Sequence, residues 1–495
     1  MNGKRLEELI SEAWASPRSQ MWYQGQWRSS DWLFRASETM ECSLREAGFG
    51  TGQRLLALLP VCPEFHALSL ACWRLGGTIV PVNTAAGIGA IESVVRRADA
   101  SLAVLGPETL PHKADMESWG QPCANVSPEG ELSSVKVRAT QQDDPETAVI
   151  FFTSGTTGVP KGVPLTHGNL RSNIESAVQH AIELTDDMVM LNVLPNFHAL
   201  GCVVSGWLPL VAGIKQAMVR SFLPVSAVVE AAQASHANLS VMVPTMLHFL
   251  VGTLLKARTS LPDMRLVISG GDRLATNLEL RAREVFSGAR LVEGYGVTES
   301  SPVLAVTALG REHRTGTVGT FLPGVEYKLQ GLDGKPAQGN EGELWVRGPS
   351  ITTHYFRDPE NTALRFKDGW FGTDDQVRID PDGTITILER VSDLIIVGGF
   401  SVYPQEVEAA LASHPAVRQA AVVGHRQSVS GEVVRGFVVL ADGASVSSSE
   451  LIEWCRQRLP HFKVPRKIEF LSELPVNALG KVLRRKLREL CEKEK

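Results

Sequence analysis

The sequence predicts an α/β protein: a large N-terminal domain of packed mixed and parallel α/β subdomains with a small β-rich section, then a small C-terminal α+β domain. Three observations predict it. Short apolar runs alternate with helically spaced segments through the first 290 residues. Several of those runs end directly in Gly or a hydroxyl residue, as strands do where open α/β sheets bind ligands. The texture then changes, first to short segments broken by Gly, Pro and Asp around 316–348, and then to a charged stretch at 389–393.

The elements follow in order. Residues 54–60 (RLLALLP), 77–81 (GTIVP) and 101–105 (SLAVL) read as strands, with helical spacing over 64–75. Residues 147–152 (TAVIFF) form a strand that runs into a Ser/Thr/Gly loop. Residues 239–243 precede Pro244, 266–269 precede Gly270 and Gly271, and 289–292 precede Glu293. Segments 326–329 and 343–346 are short strands of the β-rich section. Residues 394–397 open a last compact unit of about a hundred residues, a usual domain size. The expected division is 1–389, a linker at 390–393, and 394–495.

Bulk properties exclude several classes. Of 495 residues, 49 are basic and 54 acidic, for a net charge of −5, which argues against a nucleic-acid footprint. The seven cysteines form no C-x-x-C pair, which fits buried thiols in a reducing cytoplasm. The most apolar long run, 199–219, is broken by Ser205, Pro209 and Lys215, so no transmembrane helix is expected. Peripheral membrane contact through a fatty substrate stays open, as does the choice between monomer and homodimer.

The most informative segment is Thr153-Ser154-Gly155-Thr156-Thr157-Gly158-Val159-Pro160-Lys161-Gly162. Glycines let backbone N–H groups turn toward one anion. The hydroxyls add donors that rotate to fit phosphate oxygens, and Lys161 adds positive charge. This is a phosphate cradle but not a Walker loop, because Gly162 follows the lysine. Further on, Glu293-Gly294-Tyr295-Gly296-Val297-Thr298-Glu299 follows a strand. An aromatic between glycines suits a ring stacked on a planar base. Thr298 can bond a phosphate or carboxylate oxygen, and Glu299 offers a hard oxygen to Mg²⁺.

Together these segments resemble the signature motifs of the adenylate-forming superfamily, which holds acyl-CoA synthetases, luciferase-like enzymes and adenylation domains. The likeness extends over nearly the whole chain and is greatest to bacterial fatty acyl-CoA ligases. It implies that Gly270, Gly271 and Asp272 form the other face of the adenine slot. It implies that Asp375, in Trp370-Phe371-Gly372-Thr373-Asp374-Asp375, accepts the ribose hydroxyls beside Arg390. Asp374 stands where the family has Gly, and spacing favours Asp375 for the sugar. Ser392 aligns with the hinge about which a mobile C-terminal domain rotates. Gly398, Gly399 and Phe400 match a coenzyme A channel. Lys481, in a Gly-Lys turn before a basic helix at 482–487, matches the catalytic lysine. His198 either closes the acyl channel or packs as a core histidine.

The implied reaction is attack of a carboxylate on ATP, with Lys481, Thr298, Glu299 and Lys161 assisting, and then transfer to a thiol. A carboxylic acid is already ionised at neutral pH, so no general base is needed. The acyl region, with Gly201, Gly206 and Trp207, is apolar and lacks an anion for an ammonium group. It favours an aliphatic or aryl acid over an amino acid, with a medium- or long-chain fatty acid foremost. The expected co-substrates are ATP with Mg²⁺ and coenzyme A, with an acyl carrier protein as the alternative acceptor. A non-catalytic nucleotide-binding relative is the reading from another class, and the full set of catalytic groups speaks against it.

Overall fold

The computed structural model describes residues 3–16, 19–154, 160–331, 333–397, 400–427, 431–476, 480 and 482–492. The chain divides into two compact units: residues 1–327 with 346–371, and residues 328–345 with 372–495.

In the first unit the chain opens with a hairpin, β1 (Gln20–Tyr23) and β2 (Gln26–Ser29). A six-stranded sheet follows, built from β3 (Arg54–Leu58), β4 (Thr78–Pro81), β5 (Leu102–Leu105), β6 (Cys123–Asn125), β7 (Thr147–Ser154) and β8 (Pro160–Thr166). Its order among the described residues is β6-β5-β3-β4-β7-β8, parallel except for the antiparallel pair β7–β8. The second sheet takes β9 (Val189–Asn192), β10 (Lys215–Met218), β11 (Leu239–Met242), β12 (Leu266–Ser269), β13 (Arg290–Tyr295), β14 (Ala305–Val306) and β15 (Thr320–Phe321). Together with the opening hairpin, these strands lie in the order β15-β14-β13-β12-β11-β9-β10-β1-β2. The five strands from β13 to β10 run parallel, so their carboxyl ends open on one edge.

The strands β3, β4 and β5 read as unbroken apolar runs because helices cover both faces of their sheet. Helix Pro63–Arg74 starts on a proline whose missing N–H costs nothing in the first turn. It buries Phe65 and Trp73 against Trp207 of the other subdomain. Phe65 stacks on Trp207 at 6.2 Å and Trp73 meets it edge-on at 4.9 Å. Such pairs contribute roughly 0.5–1.5 kcal/mol beyond their buried area.

Residues 199–219 form a π-helix, Leu200–Trp207, then a short α-helix, Leu208–Ala212, and β10. Among the described residues no helix is long and apolar enough to cross a membrane. None of the seven cysteines forms a disulfide; Cys42 is exposed and the others are buried.

In the chain's β-rich section, β16 (Glu326–Gln330) and β17 (Glu341–Arg347) are followed by β18 (Phe366–Lys367), β19 (Trp370–Ile379) and β20 (Ile385–Arg390). In the second unit, β19 and β20 form an antiparallel ladder with Asp375 opposite Arg390. A separate sheet holds β21 (Ile395–Val397), β22 (Phe400–Val402), β23 (Val417–Gln427), β24 (Gly431–Leu440) and β25 (Lys467–Phe470). Its core closes on helices Pro404–Ala412 and Ser448–Arg456 through Leu411, Leu451 and Val438. The basic helix begins later than its sequence suggests, spanning Arg484–Glu492.

Candidate active site

The hydroxyl-rich segment is less of a loop than its composition suggests. Thr153 pairs with Lys161 and Ser154 with Pro160 as β7 returns into β8. Both ends of the segment therefore belong to a ladder, which fixes the lysine's position. Gly155, Thr156, Thr157 and Gly158 lie outside the described residues.

Lys161 carries its ammonium 5.3 Å from the centre of the Tyr355 ring. The Tyr355 hydroxyl donates to Glu299 Oε1 at 2.7 Å. One buried aromatic thus joins the cation of the hairpin to the carboxylate of the 293–299 motif. Burial raises the Tyr355 hydroxyl's pKa, and the adjacent Glu299 charge raises it further, so it stays a donor. The segment carrying Tyr355 is clamped from both sides. Thr352 N–H donates to the Glu299 carbonyl at 2.9 Å, and Thr352 Oγ1 donates to the Pro164 carbonyl of β8 at 2.7 Å.

Nothing in the sequence pattern singled out Tyr355. Its only local signal is an aromatic pair, Tyr355-Phe356, in a stretch without strand or helix periodicity.

The 293–299 motif sits where β13 ends. Tyr295 pairs with Ala305 of β14, and Thr298 opens a single 3₁₀ turn, Thr298–Ser300. Gly296 admits no side chain, because a Cβ there would stand 1.9 Å from the Pro302 carbonyl oxygen. Glu293 accepts from the Leu274 N–H at 2.9 Å and ties β13 to the loop after Gly271. Burial pushes the Glu293 carboxyl up to about 7, although that backbone donor opposes the shift. Gly270 follows β12, and its N–H donates to the Met242 carbonyl at 3.0 Å. Asp272 is exposed and accepts from the Arg273 N–H, so its side chain caps its own turn.

The acyl-region residues divide. Leu200 lies over the glycines, with Cδ2 3.6 Å from where a Gly270 Cβ would stand. His198 is half-buried, and its carbonyl accepts from the Cys202 N–H at 2.8 Å. Gly201 is required by the backbone rather than by ligand space, since a Cβ would meet the Pro195 carbonyl at 2.4 Å. The fully buried Trp207 is engaged with Phe65 and Trp73, so it supports the π-helix from behind.

In the second unit, Asp375 is buried and its Oδ1 lies 3.3 Å from Arg390 Nε. Asp374 adopts φ +69°, a left-handed conformation that explains why the resembling motif carries Gly there. Ser392, in the 3₁₀ turn Val391–Asp393, donates through Oγ to Asp374 Oδ2 at 2.7 Å. Asp393 next to it accepts from Arg488 at 2.6 Å, and Arg484 holds Glu408 at 2.7 Å. Burial raises Glu389 to about 7 despite the Arg484 charge. Phe400 is exposed and stacks on Phe462 at 5.0 Å. Gly398, Gly399 and Lys481 lie outside the described residues. The flanks of Lys481 are tied by a bridge between Val476 and Val482.

The model of the AMP-binding enzyme family matches residues 16–356, and that of the AMP-binding enzyme C-terminal domain matches 406–481. The chain belongs to the AMP-binding enzyme family.

A feruloyl-CoA synthase of an Amycolatopsis species is 32% identical over 470 residues, covering 92% of each chain. A long-chain-fatty-acid–CoA ligase of Yersinia pestis is 35% identical over 348 residues, covering 70% of this chain and 61% of that relative. Among solved structures, ATP-bound MatB from Rhodopseudomonas palustris superposes with a TM-score of 0.88 at 28% identity, covering 99% of this chain and 100% of that one. The o-succinylbenzoate CoA synthetase of Bacillus subtilis, holding its acyl-adenylate, gives 0.84 at 29% identity, with 98% of each chain covered. The chain is thus an adenylate-forming acid–thiol ligase of mixed α/β fold.

Proposed function

We propose that this enzyme joins an apolar-bodied carboxylic acid, alkyl or aryl, to coenzyme A in two steps on one nucleotide site. The observation that carries the reading is the meeting of Lys161 and Glu299 on Tyr355 beside the carboxyl ends of the parallel strands. A cation and a carboxylate fixed on one buried phenol form a preorganised place for a polyphosphate and its counter-ion.

In the first step a carboxylate oxygen attacks the α-phosphorus of ATP. The bond from that phosphorus to the β-phosphate oxygen breaks, and pyrophosphate leaves. The acid arrives ionised, so the protein's work is positioning and charge neutralisation. Segment 153–162, whose described ends pair in a ladder, holds the departing phosphates, with Lys161 neutralising them. Thr298 bonds an α-phosphate oxygen. Tyr295 stacks on adenine opposite the Gly270–Asp272 backbone. Asp375 takes the ribose hydroxyls, and Arg390 fixes its carboxylate. Lys481 reaches the α-phosphate in this step only, which requires the second domain, 394–495, to turn about 390–393 between steps.

Glu299 fits a magnesium ion. Mg²⁺ on nucleotides takes one or two carboxylates plus phosphates and waters, and Tyr355 engages only Oε1 of Glu299. When bound, the ion supplies charge neutralisation on the phosphate oxygens.

In the second step the coenzyme A sulfur attacks the acyl carbon. The bond to the AMP oxygen breaks, the thiol proton is released and AMP leaves.

Acid-dependent exchange of labelled pyrophosphate into ATP tests the first step. Exchange with fatty or aryl acids is expected, and none across fatty, aryl and short acids overturns the reading. Lys481→Ala should lower exchange by about 10²–10³-fold, the usual loss for one transition-state donor. It should spare thioester formation from supplied acyl-adenylate. Undiminished exchange would remove Lys481 from the first step.

A further inference from the structure

Helix His167–Ala181 continues directly from β8, the strand that carries Lys161. Its apolar side, Leu170, Ile174, Ala177 and Ala181, lies in the large core. A polar stripe runs beside it at Asn169, Asn173, Ser176 and His180. The spacing i, i+4, i+7 and i+11 puts all four on one helix face. Such a face ordinarily meets water. Here each member reaches a backbone carbonyl of another segment of the same unit.

Asn173 is the buried member of the stripe. Its Nδ2 donates to the Ser300 carbonyl at 3.0 Å and to the Val303 carbonyl at 2.7 Å. Its Oδ1 accepts from the Val303 N–H at 3.3 Å. Two carbonyls can face only the amide nitrogen, and an N–H only the oxygen, so the surroundings fix the orientation of this side chain.

The groups that Asn173 holds flank the bend of the 293–299 motif. Ser300 ends the 3₁₀ turn that begins at Thr298 and includes Glu299. Carbonyls at the end of a helical turn have no partner within the turn, and a side chain can supply one. Ser301 then adopts φ +72°, a left-handed conformation that side-chain-bearing residues disfavour. Asn173 bonds the chain on both sides of Ser301, so it holds closed a bend that the backbone resists. The Ser301 hydroxyl in turn donates to the Ser350 carbonyl at 2.7 Å.

Asn169 serves the neighbouring segment. Its Nδ2 donates to the Pro349 carbonyl at 2.8 Å and to the Ile351 carbonyl at 3.3 Å. Its Oδ1 accepts from the Thr166 N–H at 3.0 Å and closes a capping box at the start of the helix. The segment it holds leads into Thr352 and Tyr355. One helix therefore anchors Lys161 through β8, Glu299 through Asn173 and Tyr355 through Asn169.

We propose that Asn173 is a positioning residue for acid activation. It holds the turn 298–303 so that Thr298 and Glu299 are aimed before ATP arrives, and Asn169 aligns the Tyr355 segment from the same helix face. Groups that neutralise developing charge act best when they need no reorganisation during the reaction. Asn173 acts through the backbone of Ser300 and Val303, not on a reacting atom. The inference rests on the proposed acid activation and adds the residues that set its geometry.

The test measures both half-reactions on the same preparations: acid-dependent pyrophosphate exchange, and thioester formation from supplied acyl-adenylate. The second uses neither the polyphosphate nor its ion. Asn173→Leu, similar in volume, should lower exchange by about 10- to 100-fold, because a displacement of about 1 Å can cost 10²-fold. Its Mg²⁺ half-saturation point should rise, and thioester formation should be spared. Asn169→Asp keeps the acceptor that caps the helix and loses the donors. It should lower exchange by about three- to tenfold, again sparing the second half-reaction. It decides the matter if Asn173→Leu fails to fold. Ser176→Ala, on the same face but bonded to Pro323, should leave both half-reactions at the parent's level. Equal losses in the two half-reactions would reduce these residues to supports of the fold and overturn the inference. Parent-level exchange with unchanged Mg²⁺ dependence in folded Asn173→Leu, or in Asn169→Asp, would also overturn it. So would a loss in Ser176→Ala as large as in Asn173→Leu. Absence of exchange with every acid in the unaltered enzyme overturns the activity itself, a result distinct from any of these.

Discussion

Two regions of the larger sheet, beside β13 and at β9–β10, differ in how particular buried polar groups are paired. At the β13 end, Glu299 meets the Tyr355 hydroxyl and Glu293 meets the Leu274 N–H. At the β9–β10 end, His66 Nδ1 and Asn192 Oδ1 meet no partner in the protein. The proposed function gives a reason for the first arrangement. Groups that stabilise developing charge must be aimed before the substrate arrives, so the fold supplies their partners.

Substitutions at the β13 end should have large effects on rate. The largest is expected for Glu299→Gln, which keeps shape and removes the charge. Pyrophosphate exchange should fall by about 10²–10³-fold, with a higher Mg²⁺ requirement. A loss below threefold would take Glu299 out of the chemistry and level the two ends.

Tyr355→Phe is milder, because the carboxylate remains and only its hydrogen bond is lost. A bond to a charged group contributes roughly 1.5–3 kcal/mol, so exchange should fall by about 10- to 100-fold. The ring is retained, and with it the contact beneath Lys161. Magnesium titrations of exchange separate positioning from packing: the Mg²⁺ half-saturation point should rise in Tyr355→Phe. Unchanged magnesium dependence would mean that Tyr355 merely fills space.

Glu293 sharpens the comparison through pH. Its folded carboxyl titrates at about 7 against an ordinary 4.5, raised by burial. The folded state binds the extra proton, so this contribution to stability is full below pH 4.5 and is lost as pH rises through 7. Denaturant unfolding from pH 4.5 to 8 should show that decline, and Glu293→Gln should flatten it. A variant with the parent's slope would locate the titration elsewhere.

The smallest effect is expected in the second unit. Asp374→Gly relieves a left-handed residue but removes the acceptor of Ser392 Oγ. Relief of about 1 kcal/mol offsets a bond of similar size, so thermal stability should change little. A large stability change would mean that other Asp374 contacts outweigh both terms.

Much of the fold was legible along the chain. Residues 54–60, 147–152, 239–243 and 266–269 became β3, β7, β11 and β12, because apolar runs punctuated by Gly and Pro are local signals. The paired ends of the phosphate segment were not legible, since hydroxyl and glycine content describes a loop and a hairpin equally well. Trp207 and Gly201 looked like ligand-pocket residues from composition. Packing gave the first to the aromatic core and close backbone approach required the second.

The sequence by itself determined the family and the position of many strands, because each rests on residues within a few positions of one another. Only the tertiary structure decided which groups meet. Tyr355 reaches Glu299 across 56 positions, and His66 reaches Gln216 across 150. No periodicity records such pairings. They arise where distant segments converge, and the cost of burying polar atoms then favours a partner inside the protein.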